Sequence, residues 1–141
     1  MQKWLVALSL LLGSGPVLSA GQWAYRCDFV HGPVSCDQVA DEAAKAVPPE
    51  FISQYPGEAY VVNFTVQSSF FVQEKIQTYL AVASLHKKVS KEGRIVEFPS
   101  MAAHSHSGFD GRNPTYALQR ENILRSVRFA MGALVSDLMD R

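Results

Sequence analysis

The clearest hydrophobic pattern lies in residues 60–71. Tyr60, Val62, Phe64, Val66 and Phe70 share one parity, and Asn63, Thr65, Gln67 and Ser69 share the other. Strict alternation marks a half-buried strand of the antiparallel kind. Val61 and Phe71 break the polar parity, so one of the neighbours Phe70 and Phe71 must leave the core face. Residues 76–89 admit two periods. A helical stripe of Val72, Ile76, Tyr79, Leu80 and Ala83 is interrupted by Lys87, whereas a strand sorts Tyr79, Ala81, Ala83 and Leu85 onto one face. The strand reading is preferred. Residues 90–93 then form a hairpin loop with Gly93 taking a positive φ, and residues 94–99 return as a strand ended by Pro99.

At the C-terminal end the period changes to that of a helix. Ala117, Leu124, Val127, Met131, Leu134, Val135 and Leu138 form one stripe. Asn113 is the expected cap and Pro114 the first helical residue, with the helix running to residue 140. At about 1.5 Å per residue it matches the length of the strand over 60–71, so it can lie along the sheet. Residues 22–30 alternate Trp23, Tyr25, Cys27 and Phe29, which predicts a short strand. Residues 36–47 predict a helix capped by Ser35 and stopped by Pro48–Pro49. Residues 52–57 and 101–112 read as loops. Together these elements predict an α+β domain of two layers. An antiparallel sheet of three or four strands is covered by the long C-terminal helix, and the 36–47 helix packs at one end.

The N-terminus sets an address. Lys3 precedes the apolar run Trp4 to Leu12, which is long enough for a signal peptide and too short to span a bilayer. Gly13, Gly15 and Pro16 follow, and then Val17-Leu18-Ser19-Ala20 supplies small residues for cleavage after Ala20, or after Ser19. Residues 1–20 are therefore read as a cleaved signal peptide and residues 21–141 as a single domain. The expected compartment is the bacterial periplasm, with secretion as the second choice. No later run is apolar enough for a transmembrane anchor.

Composition removes several classes. Of 141 residues, 48% are hydrophobic, and 13 basic residues balance 13 acidic ones. That balance offers no basic footprint for nucleic acid. The two cysteines, Cys27 and Cys36, enclose His31-Gly32-Pro33, and an even pair in an oxidising compartment predicts a disulfide.

Candidate chemistry is sparse. There is no nucleophile elbow, no phosphate-binding glycine loop and no paired carboxylates placed for glycoside chemistry. Met101, His104 and His106 could offer a thioether and two imidazoles to copper or zinc. Exposed aromatics point instead to a binding surface, with Phe71, Phe109 and Arg112 as its candidate residues. The sequence thus predicts a small exported, non-catalytic protein that binds another envelope protein, as an assembly factor or an inhibitor or immunity-type partner. Metal handling through Met101, His104 and His106 is the alternative.

Overall fold

The structure, a computed structural model, describes Val17–Leu18 and residues 23–141. Apart from Val17 and Leu18, the expected signal peptide lies outside the described residues. In chain order the elements are β1 (Val17–Leu18), β2 (Ala24–His31), α1 (Cys36–Ala44), α2 (Pro49–Gln54), β3 (Tyr60–Phe71), β4 (Ile76–Lys91), β5 (Arg94–Glu97), β6 (Ala102–Asp110) and α3 (Tyr116–Met139). The class is α+β, with one curled sheet and a C-terminal helix.

The sheet is mixed, and this corrects the antiparallel expectation. β2 runs parallel to β3, pairing Tyr25 with Val62 and His31 with Gln67. Parallel neighbours need a crossover, and α1 and α2 supply it. Their sequence signals were legible only in part. Ser35 caps α1 through a reciprocal capping box with Gln38. α1 ends at Ala44 with Lys45 as its C-cap, three residues short of the expected end at Val47, and Pro49 opens α2, where a missing N–H costs nothing.

β3 and β4 pair antiparallel along their whole common length, from Tyr60–Lys87 to Phe71–Ile76. The strand reading of 76–89 is therefore correct. Lys91 pairs with Arg94 across a two-residue turn, in which Glu92 and Gly93 have φ of 53° and 74°. The far edge of β4 pairs first with β5 and then with β6.

β6 is the main departure from expectation. Residues 101–112 read as loop, yet nine of them form a strand. Its alternation is real but polar. Ala102, His104, His106, Gly108 and Asp110 face α3, while Ala103, Ser105, Ser107 and Phe109 face the other way. The inward face meets polar residues of the helix, so no hydrophobic period appears. His104 Nε2 lies 3.0 Å from Asp137 Oδ2, and His106 Nδ1 lies 2.9 Å from Ser126 Oγ.

The core lies between the sheet and the helices. Phe64, Val66, Ala81, Ala83 and Leu85 meet Val127, Met131 and Leu134 of α3, with Val39 of α1 and Phe51 of α2 beside them. Trp23 is buried there too. α3 begins later than the sequence suggested. Thr115, not Asn113, caps it, accepting from Leu118 N at 3.2 Å, while Asn113 takes φ of 53°. Its buried face also differs: Ala117 is exposed, whereas Asn122 and Ser126 are buried.

Candidate binding surface

With the helices on one face of the sheet, the other face can be read from the strand registers. Four successive rows cross it. They are Phe29–Thr65–Val82–Ser105, His31–Gln67–Leu80–Ser107, Ser69–Thr78–Phe109 and Phe71–Ile76. None of these residues is Asp, Glu, Lys or Arg. At about 4.8 Å between strands and about 6.7 Å between rows, the area is roughly 15 by 20 Å.

Three aromatics stand on it. Phe29, Phe71 and Phe109 are 47%, 46% and 71% exposed. Two of the three were legible in the sequence. Phe70 turns toward the helices and is partly buried, so Phe71, on the opposite parity, stands outward. Phe29 was missed, because the sequence placed it on the same parity as Trp23 and Tyr25. A bulge between Cys27 and Phe29 shifts the register by one and turns Phe29 out. A shallow dent of about 150 Å³, lined by Gln67, Ser68, Ser69, Thr78, Tyr79 and Leu80, lies between the aromatics.

The surface ends where the sheet curls. Arg26 of β2 reaches Glu97 of β5 and also pairs with Asp28 at 3.0 Å. β2 and β5 are separated by β3 and β4, so this ion pair can form only because the β4–β5 hairpin folds toward β2. The Glu97 hydrogen bond, with help from Asp28, holds the Arg26 guanidinium charged beyond its usual range. Asn63 donates to Asp28 Oδ2 at 2.6 Å, while its own buried Oδ1 has no partner among the described residues. Next to it, Ser84 Oγ lies 3.0 Å from His86 Nε2, and His86 Nδ1 lies 3.1 Å from the Phe98 carbonyl. That spacing is the spacing of a nucleophile and its base. Ser84, however, is buried and sits off the open rows.

The remaining sequence candidates lie elsewhere. Arg112 is not part of the open face. Its guanidinium grips Asp110 with Nε at 2.9 Å and Nη2 at 2.8 Å, and its backbone N–H adds a third bond. Asn122 of α3 donates to the same carboxylate and to Gln77, which is fully buried. Arg112, its backbone N–H and Asn122 together hold the Asp110 carboxyl far below the usual carboxylate range. This network joins β4, β6 and α3 and was invisible in the sequence, since its members lie up to 45 residues apart.

Met101, His104 and His106 are not brought together as a ligand set. Both imidazoles point to α3 and are held by Asp137 and Ser126, while Met101 precedes the strand and is exposed. Among the described residues, no group of three or more His, Cys, Asp or Glu side chains is placed to hold a metal. Cys27 and Cys36 are joined, with Cα atoms 5.9 Å apart. The bond ties the β2 bulge to the first turn of α1, next to Phe29. No described helix is long and apolar enough to cross a membrane. In comparison with known proteins, the chain matches no protein family, no curated protein and no solved structure.

Proposed function

We propose that this chain is a small exported, non-catalytic binding protein. Its open sheet face would dock another protein of the bacterial envelope, as an assembly factor or an inhibitor or immunity-type partner. One observation carries the reading: four rows without Asp, Glu, Lys or Arg, bearing three exposed phenylalanines. The centres of protein interfaces are depleted in charge and enriched in aromatics, whereas ordinary solvated sheet faces carry Lys and Glu. The disulfide supports an oxidising compartment, with periplasm ahead of secretion. The alternative, copper or zinc held by Met101, His104 and His106, has no structural observation in its favour.

The test uses a photo-crosslinking residue placed at position 71 or at Arg120 on the far side of α3, in protein expressed in the periplasm. Position 71 should give one discrete adduct with a second protein, and position 120 none. Phe29→Ser in the position-71 protein should remove the adduct while shifting Tm by less than about 3 °C, as expected of exposed side chains. Equal adducts from both positions, or none from either, would defeat the proposal.

A further inference from the structure

The edge of β6 raises a separate question. The backbone bonds show which way its residues face. Phe98 N donates to Lys87 O and Met101 N to Leu85 O, while Lys88 N donates to Ala59 O on the other side. The odd residues of β4 therefore bond toward β6, and their partners Ala102, His104, His106, Gly108 and Asp110 bond back. Ala103, Ser105, Ser107 and Phe109 turn their N–H and C=O groups to the free edge. Among the described residues nothing pairs with that edge.

Edge strands of this length are normally guarded by Lys, Pro or a bulge. β5 has such guards, with Arg94, Glu97 and the following Pro99. β6 runs nine residues without Lys, Arg or Pro. The polar side chains that it directs inward are already satisfied by α3 and Arg112, so they do not repel an incoming strand. Apolar groups flank the edge on both layers. Phe109 stands on the sheet face, and Phe129 of α3, 51% exposed, packs on His106 with ring centroids 4.9 Å apart.

We propose that β6 pairs with β6 of a second copy, antiparallel, about a two-fold axis through His106. His106 is the midpoint of the strand, so this register alone lets all nine residues pair. Ser105 and Ser107 then exchange backbone bonds with Ser107 and Ser105 of the second copy. Size also alternates well: Phe109 falls opposite Ala103, and His104 opposite Gly108. The same axis passes beside Phe129, so the two Phe129 rings meet on the helix layer. Ala133, exposed one turn further along α3, leaves room for them. An edge about 30 Å long and two layers deep buries roughly 1,000 Å² in total, near the lower limit for a specific dimer. The product would be one continuous sheet in which two open faces lie side by side.

This proposal does not depend on the envelope partner, because its test uses the purified protein alone. Sedimentation equilibrium should show a monomer–dimer equilibrium at micromolar concentration. Ser105→Pro removes an N–H that the β4 ladder does not use, and should weaken the dimer more than tenfold while leaving the far-UV spectrum unchanged. Should that variant fail to fold, Ser107→Lys places a charge at the same edge and should have the same effect. Amide exchange gives a readout free of substitutions: Ala103, Ser105, Ser107 and Phe109 should become protected as concentration rises. A monomer at all concentrations overturns the proposal. So does a dimer that survives both variants, or one whose formation leaves those four amides unprotected.

Discussion

The Cys27–Cys36 bond closes a short loop, and its contribution to stability can be worked out. The two cysteines are nine residues apart. In the chain-entropy model the denatured chain loses about 8.6 cal/mol/K when a nine-residue loop is closed, which is about 2.6 kcal/mol at 25 °C. A domain of roughly 120 residues unfolds with an entropy near 0.25 kcal/mol/K, so loss of the bond should lower Tm by about 10 °C. The prediction assumes that the native fold survives reduction. The structure supports this, because Cys27 lies on a strand paired with β3 and Cys36 starts a helix with its own capping box. The assay is thermal unfolding by circular dichroism of oxidised protein, of reduced protein and of Cys27→Ala/Cys36→Ala. Reduced and doubly substituted protein should agree within a few degrees, both well below the oxidised form. A shift under about 3 °C would mean that the denatured chain already holds this loop closed, and the entropic argument would fail. A shift far above 10 °C would mean that the bond maintains native packing at the Phe29 bulge.

Two other predictions concern the packing of β6. Asp110→Asn removes the charge that Arg112 and Asn122 bind. The native carboxyl is held far below its unfolded value near 3.9, so its contribution is present at neutral pH and declines as pH falls below about 4. Urea unfolding should therefore show wild type and variant furthest apart near pH 7 and converging toward pH 2, and a constant gap would refute the assignment. Gly108→Ala would place a Cβ 2.7 Å from Tyr79 Oη and 2.9 Å from Cζ. Overpacking of this kind costs about 1–3 kcal/mol. Gly108→Ala should cost less in a Tyr79→Ala background than in the native chain, and an equal cost in both would mean the clash is not the cause.

How much was legible in the sequence follows from where each element finds its partners. β3, β4 and the second half of α3 bury apolar side chains against apolar neighbours, so their periods stand out locally. The disulfide and the cap of α1 are local as well. β6 was hidden because its inward residues His104 and His106 find their complements on α3, as Asp110 does in part through Asn122. No window of a dozen residues contains both halves of such a match. The same cause explains why the first half of the α3 stripe was misplaced, since Asn122 and Ser126 look like surface residues until β6 is placed beside them. The parallel pairing of β2 and β3 depends on a crossover of two short helices, the second of which began at a proline that also read as a stop. For the candidate surface, parity alone separated Phe71 from Phe70. Phe29 required knowledge of a bulge, and Arg112 required knowledge of a buried carboxylate two residues away.

The chain order of the elements bears on how the protein folds as it is made. β3 and β4 are joined by four residues, so their ladder can form as soon as residue 91 is available. β2 is made earlier yet has only the two-residue β1 beside it until β3 appears, and so short a ladder has no stability of its own. Of the inner face of β6, only Asp110 has a partner, Arg112, before α3 is made, because His106 and His104 wait for Ser126 and Asp137. The core therefore closes from the middle of the described residues outward, and α3 is the element that seals it. A chain whose α3 is not yet made would hold the β3–β4 hairpin and little else. The apolar face of that hairpin would stay open to chaperones until α3 arrives to cover it.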